Sequence, residues 1–416
     1  MDERQFEDTR LDVSENKKKK EPKMISLFLA IMLALILAAG VFLSTFTVMQ
    51  NKRNAEIAEV RAEQARFDKL SSLLDFVESE YVRGCDESEI MEKLYGTLFD
   101  SVEDPYSCYM TAEEYKEYNA DRQESYVGIG VNVVFNKEEN AMQIYRVTPD
   151  SPAEKAGLLK GDRIIKVENV EIGLDTYEKA VDMVKGVEGT PVNLTVVRGE
   201  ETKNYRIVRG TCPAVEVVYE KIGNIAYIQI YSFKSAATTK QFVESLAKAK
   251  EDGCDSYLFD VRNNPGGDLG VICDVLDMLI KKADLVHMVA ADGTDTVRST
   301  KTDAHLDAPM AVLTNGSTAS AAELFTADLR ENKNAYLIGT KTFGKGTMQT
   351  VRYLNDGSAF KLTNRFYNPT SNVSYDKVGI MPDLEVTLTA DEESRFYLLE
   401  HDEDPQLQAA IKYLTK

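Results

Sequence analysis

From Met24 to Met49 the chain carries no charged side chain and is built mostly of Leu, Ile, Ala, Val, Met and Phe. A run of that length crosses a hydrocarbon core of roughly 30 Å as one helix. The competing reading is a cleaved signal peptide, whose apolar region usually spans only about 7–15 residues, and no persuasive small-x-small site follows. Lys17 to Lys20 with Lys23 favour a cytoplasmic N-terminus, although Lys52 and Arg53 weaken the asymmetry. The expected layout is a cytoplasmic tail over 1–23 and a transmembrane helix over 24–49. The remainder is then a single-pass ectodomain outside the cell membrane.

Charge narrows the partners of that ectodomain. The net charge is −19, and acids and bases over residues 1–23 cancel, so the rest of the chain carries all of it. Phosphate binding needs the opposite sign, which argues against nucleic acid. The five cysteines, Cys85, Cys108, Cys212, Cys254 and Cys273, are scattered, odd in number and without a CxxC or Cys/His cluster. They therefore outline neither a disulfide framework nor a zinc site, and Cys254 and Cys273 are expected as small apolar core residues. No metal or cofactor is implied.

A length of 416 residues calls for two or three domains. Ile57, Val60, Phe67, Leu70, Leu74, Val77 and Tyr81 keep to one helical stripe. They predict a helical segment over 54–120 whose stripe packs on its own domain or forms a homodimer seam. Ile90, Leu94 and Leu98 mark a second helix before the turn Asp104-Pro105-Tyr106-Ser107. Over 126–210 the character changes. Gly128-Ile129-Gly130-Val131 opens an alternating strand, and SPAEKAG followed by GDRI supplies a short helix, a Gly-Asp turn and another strand. This combination resembles a PDZ domain. It implies that the loop Gly128, Ile129, Gly130, Val131 meets a peptide's C-terminal carboxylate while the next strand pairs with the peptide. A helix over Tyr177 to Val184 would line the groove, with Val181 and Val184 as apolar walls or as plain core.

From Gly223 strands and helices alternate. Ile225–Ile230 and Ser256–Val261 read as strands, Thr238–Lys250 as an amphipathic helix, and Leu269 to Ile280 as another. Asn263-Asn264-Pro265-Gly266-Gly267 stands between strand and helix, where paired glycines let backbone N–H groups approach a ligand closely. The chemistry concentrates between Asn315 and Gln349. A buried strand, Ala311-Val312-Leu313, breaks at Asn-Gly-Ser-Thr and restarts as a helix at Ala321. Ser320 then sits at a strand-to-helix turn, beside the free N–H groups of a first helical turn. Lys345 lies between Gly344 and Gly346, and Gln349 follows four residues later, expected on the same face of a strand. A lysine base must be neutral. Only a largely buried, apolar-walled site, here expected from Phe343, Gly344 and Gly346, can bring an amine down from about 10.4. The chain's three histidines, His287, His305 and His401, have little support from their surroundings. A triad is recognised by geometry rather than order, so one built on histidine stays open on sequence alone.

The Ser320-to-Glu323 serine motif, Phe343-Gly344-Lys345-Gly346 and Gln349 at this spacing resemble the C-terminal processing, or tail-specific, serine peptidases. The resemblance runs from about Tyr81 to Leu388, and Gly379-Ile380-Met381-Pro382-Asp383 fits its end. It implies Ser320 as nucleophile, Lys345 as general base and Gln349 as the residue that orients it. It assigns the oxyanion hole to Gly266, with Gly267 less favoured, and to Ala321. Ala322 stands where the family more often has serine, and Lys185 where it often has arginine. The fold class expected is an α+β multidomain chain. An N-terminal transmembrane helix and a helical segment lead to a PDZ domain, placed before a crotonase/ClpP-like α/β serine peptidase core over 211–390. An acidic, partly helical tail follows over 391–416. The expected function is a membrane-anchored serine endopeptidase acting on protein or peptide substrates with accessible C-termini, an activating partner being compatible with the PDZ domain. Two other classes remain on sequence alone: an inactive membrane-anchored PDZ scaffold, and an acyl-CoA enzyme of related architecture.

Overall fold

The computed structural model of the chain describes residues 26–120 and 122–416. The tail expected over 1–23, with its lysine cluster, lies outside the described residues. The chain divides into two compact units, Met1–Met91 and Glu92–Lys416. In the first, one helix runs without interruption over Leu27–Glu80. It runs on past Met49, the end expected for the transmembrane helix. Lys52, Arg53 and Asn54 interrupt the apolar run, but no Gly or Pro between Met49 and Glu80 interrupts the backbone. At 1.5 Å per residue the helix is about 80 Å long. Its N-terminal part is long and apolar enough to cross a membrane.

In the second unit, Val131–Asn136, Ala141–Val147, Arg163–Val167, Pro191–Arg198 and Glu201–Val208 form one antiparallel sheet in that order. Val131–Asn136 is therefore an edge strand. Its inward residues meet Ala180 and Val184 of the helix Tyr177–Val184 in a core that includes Met142, Ile144, Ile164 and Leu194. The strand does not start at Gly128. Ser125–Gly128 pairs instead with Gly210–Pro213, and Ile129-Gly130 forms the step between two sheets. Gly130 has φ +85, and a Cβ there would fall 2.3 Å from that of Ser151, so only glycine fits the step.

A mostly parallel six-stranded sheet runs in the order Val217–Ile222, Ile225–Ile230, Ser256–Asp260, Met310–Thr314, Tyr336–Gly339, Leu384–Glu385, parallel after its first antiparallel pair. Successive side chains feed opposite faces. Ala226, Ile228, Phe259 and Val312 pack with the helices Ala236–Glu251, Leu269–Leu276 and Ala321–Lys333. Tyr227, Leu258, Ala311 and Leu313 pack under Leu407 and Ala410 of Pro405–Leu414. The helix expected to reach Ile280 stops at Leu276, because the carboxylate of Asp277 takes the N–H groups of Lys301 and Thr302 and ties that end to the next loop. Cys273 is buried as expected, whereas Cys254 is half-buried in the turn after Ala236–Glu251. A second sheet joins Cys108–Met110, Ala359–Asn368, Asp284–Ala290 and Asp295–Ser299, with Thr347–Tyr353 also on Ala359–Asn368.

Under the mostly parallel sheet's C-terminal edge, Arg262 is buried between Asp260 at 2.7 Å and Asp404 at 2.8 Å, and it lies over the ring of Phe396. Desolvation opposes its charge, and the two carboxylates more than restore it. That ion cluster locks the C-terminal segment beside the loop 263–267, which follows the strand Ser256–Asp260.

Candidate active site

Parallel strands deliver their C-terminal ends to one side of a sheet, and the loops after Ser256–Asp260 and Met310–Thr314 meet there. The amide of Asn315 donates to the side-chain oxygen of Asn263 at 2.8 Å, and Thr318 Oγ1 donates to the Val261 carbonyl at 2.8 Å. These bonds bring Gly266 against the first turn of Ala321–Lys333. A Cβ on Gly266, whose φ is +95, would lie 2.7 Å from the Ala319 carbonyl and 2.8 Å from the Ala321 nitrogen. A Cβ on Gly267 would fall 2.2 Å from the Phe233 carbonyl carbon, so this glycine fits as tightly.

Ser320 has φ +59 and ψ −123, a backbone a non-glycine residue adopts only when its surroundings force it. What forces it is the carboxylate of Glu323, which is fully buried. Its Oε2 accepts the N–H of Ser320 at 2.9 Å and the N–H of Lys345 at 2.8 Å. Its Oε1 accepts the N–H of Gly344 at 2.7 Å and the Thr342 hydroxyl at 2.6 Å. One side chain thus holds the backbones of two segments together. The Ser320 hydroxyl does not cap its helix. It accepts a hydrogen bond from the Tyr367 hydroxyl at 2.9 Å.

Lys345 and Gln349 do not share a regular strand. Thr347–Tyr353 begins after the lysine and carries a register shift between Met348 and Gln349. Gly346 is turned aside by Asp376, which accepts its N–H at 2.9 Å, and Gly344 takes φ +93 beside the backbone of Gly379. The lysine is half-buried, but Phe343 is exposed and does not wall it. The wall is Tyr106, whose ring centroid lies 4.0 Å from Nζ. Tyr106 is fixed by the turn expected at Asp104–Ser107. Asp104 accepts the Ser107 hydroxyl at 2.5 Å, and Ser107 Oγ accepts the Thr363 N–H at 3.0 Å. Burial first, then the nearby Lys361, hold the Lys345 amine below the usual lysine range, while Asp104 and Glu323 pull the other way. Among the described residues the amine makes no hydrogen bond to Ser320. Gln349 donates to Thr363 Oγ1 at 2.9 Å and more weakly to Thr347, which leaves its amide oxygen without a donor among the described residues.

One cleft of about 710 Å³ is lined by Ser320, Ala321, Lys345, Gln349, Gly266, Gly267 and Tyr367, and by no histidine. His287 is held instead by Asp295 at 2.8 Å. The N–H expected at Gly266 is already donated to Asn264 Oδ1 at 2.8 Å. The N–H groups of Gly267 and Ala321 are the ones left without a partner among the described residues. Sequence reading gave no role to Tyr106 or Tyr367. Tyr106 had a signal, its place in a Pro-containing turn beside polar residues, and Tyr367 had none beyond lying in a strand.

Comparison with known proteins decides the family. Residues 224–386 match the model for peptidase family S41, 143–198 match a PDZ domain, and 35–114 match the N-terminal domain of the activating protease CtpB. The carboxy-terminal processing protease CtpA of Bacillus subtilis is 32% identical over 374 residues, covering 88% of this chain and 78% of that one. The chain belongs to the carboxy-terminal processing peptidases of family S41. The peptidase is also 32% identical to a carboxy-terminal-processing protease of Bartonella bacilliformis over 86% of its length and 83% of the relative's. A solved structure named for an S41 protease of Bacteroides fragilis shares its fold, with a TM-score of 0.54 at 20% identity over 76% of this chain and 87% of that one. The peptidase is therefore a serine peptidase carrying a PDZ domain. The scaffold and acyl-CoA readings fall away.

The Glu323 carboxylate gives a direct expectation. In Glu323→Gln one amide oxygen must serve donors that now occupy two, and the new NH₂ faces N–H groups. Cleavage of an unstructured-tail substrate should fall by about 100-fold, with a lower melting midpoint. Wild-type turnover in that variant would show that the two backbones hold their places without it.

Proposed function

We propose that the peptidase cleaves a peptide bond through an acyl-enzyme on Ser320, with Lys345 as general base and then general acid, and Gln349 orienting the amine. The N–H groups of Ala321 and Gly267 receive the developing oxyanion. The observation that carries this reading is that one cleft is lined by all five residues. A second supports it: the Tyr367 hydroxyl touches both Ser320 Oγ at 2.9 Å and the Lys345 carbonyl at 3.3 Å, so the two segments meet at one atom. The free amide oxygen of Gln349 is the acceptor an ammonium needs once the lysine leaves the Tyr106 ring.

Substrate selection is assigned to the PDZ domain over 126–210, which precedes a crotonase/ClpP-like core over 211–390 and a tail over 391–416. The edge strand Val131–Asn136 has an unpaired side for a peptide strand, the Gly128-Ile129-Gly130-Val131 step lies at its start, and half-buried Val181 faces the same core as buried Val184. The C-terminus of an unstructured protein is the expected ligand. The helical stripe over 54–120 is read as a dimer seam, and an activating partner would act through the PDZ domain. The helix from Leu27 anchors the peptidase in the cell membrane with its N-terminus cytoplasmic.

Ser320→Ala and Lys345→Ala should each abolish cleavage of an unstructured-tail substrate while leaving its binding intact, measured by gel-based proteolysis beside a pull-down. Near-normal turnover by Lys345→Ala would require another base. Lys361 depresses the Lys345 amine, so Lys361→Gln raises it toward the ordinary lysine range, in the same direction as the pull of Asp104 and Glu323. The base works only when neutral, hence the acid limb of kcat/KM should move to higher pH. An unmoved limb would detach the lysine from that limb. Removal of residues 1–50 should release the peptidase from membranes, and a truncated chain still pelleting with them would refute the anchor.

A further inference from the structure

We propose that Tyr367 is a further catalytic residue, whose hydroxyl donates a hydrogen bond to Ser320 Oγ throughout both halves of the reaction. This rests on Ser320 being the nucleophile. The ring is buried on the strand Ala359–Asn368, and its backbone is fixed because its N–H donates to the Gly346 carbonyl at 3.0 Å. Tyr375 packs edge-on against it, with centroids 6.1 Å apart and planes at 86°. The hydroxyl therefore cannot swing away without moving the turn that carries Lys345. Its proton points at Ser320 Oγ, 2.9 Å away, with the Lys345 carbonyl as a longer second acceptor at 3.3 Å. Burial pushes the phenol well above its ordinary range, so it stays a donor at any working pH.

A serine hydroxyl has one proton and two acceptor lone pairs. With Tyr367 occupying one lone pair, the rotor is fixed, the second lone pair faces the cleft, and the proton is left for Lys345. In acylation the Oγ–C bond forms, the Ser320 proton passes to the neutral amine, and the carbonyl electron pair moves onto the oxyanion. The C–N bond then breaks, and the leaving amine takes that proton. In deacylation water attacks, giving its proton to the amine, and the C–Oγ bond breaks with its electron pair on Oγ. That oxygen finally recovers a proton from the Lys345 ammonium. Tyr367 keeps its own proton throughout. Its hydrogen bond strengthens whenever charge gathers on Oγ, which is the condition for lowering a barrier rather than improving binding.

Tyr367→Phe keeps the buried ring and removes only the donor. A hydrogen bond to a charged group predicts a fall in kcat of roughly 10- to 100-fold. KM for a tail peptide, the acid limb of the pH profile and the melting midpoint should all stay at wild-type values. A kcat within about threefold of wild type, or above it, would overturn the proposal, the latter by making the bond a brake on the nucleophile. A fall in kcat accompanied by a raised KM and a lower melting midpoint would make Tyr367 a packing residue and overturn it too. Ser320→Ala is run alongside. Residual cleavage there would defeat the nucleophile assignment itself, whereas an inert Ser320→Ala with a normal Tyr367→Phe would defeat only this inference.

Discussion

The site hangs on the buried carboxylate of Glu323. Ser320 and Lys345 belong to different segments, one opening a helix and one closing a loop between two sheets, and the backbone bond from the Phe343 N–H to the Thr318 carbonyl at 3.0 Å brings the segments together without fixing the two residues themselves. Glu323 accepts an N–H from each on the same oxygen, with Gly344 and Thr342 on the other. A carboxylate so deep in a protein is stable only if its charge is met by donors, and here the donors are the two backbones that must be aligned. Thr342 extends the tie, since its hydroxyl also accepts the Ile380 N–H at 2.7 Å. The constraint explains why Ser320 tolerates a positive φ. The strain at one residue is offset by four charge-assisted hydrogen bonds on its neighbour.

The lysine's environment is a contest of opposing terms. Burial and Lys361 favour the neutral amine; Asp104, Glu323 and the face of Tyr106 favour the ammonium. In a chain of net charge −19 the cleft is unusual in having Arg122, Lys234 and Lys361 on its lining and, among the described residues, Asp268 as the sole carboxylate. Of these cations it is Lys361 that works with burial to favour the neutral amine. With Tyr367 on Ser320 and Tyr106 under Lys345, each member of the pair is held by an aromatic residue rather than by the other.

What the sequence disclosed follows from how local each signal is. The strand-to-helix turn at Ser320, the glycine pair at 266–267 and the helix Tyr177–Val184 are each written in a few adjacent residues, and periodicity and turn chemistry recover them. The S41 family assignment was legible for the same reason. The continuity of Leu27–Glu80 was missed because a change from apolar to charged side chains looks like a boundary, whereas the backbone heeds only propensity. The expected same-face relation of Lys345 and Gln349 failed because Gly344 and Gly346 bend to contacts with residues 376–379, far along the chain. Asn264 capturing the Gly266 N–H could have been suspected, since an Asn two residues before a glycine forms such a turn readily. Tyr106 had only its turn to mark it, and Tyr367 was beyond reach. Their roles exist only once Cys108–Met110 and Thr347–Tyr353 have paired with Ala359–Asn368.

The loop that bears Gly267 is held from the PDZ side of the molecule as well. Phe233 donates its N–H to the Gly266 carbonyl at 2.9 Å and accepts the Asp268 N–H at 2.8 Å, a strand-like bridge that leaves the Gly267 N–H free. Two residues earlier, the ring of Tyr231 carries the guanidinium of Arg146, 4.2 Å from its centroid, and Arg146 belongs to the PDZ strand Ala141–Val147. The adjacent Tyr145 stacks on Tyr397 at 4.6 Å. Residues 231–233 thus touch both the PDZ strand and the Gly266-Gly267 loop. The free N–H is thus positioned by Phe233, against which Gly267 has no room for a Cβ, and Phe233 lies two residues from the Tyr231 ring that Arg146 of the PDZ strand covers.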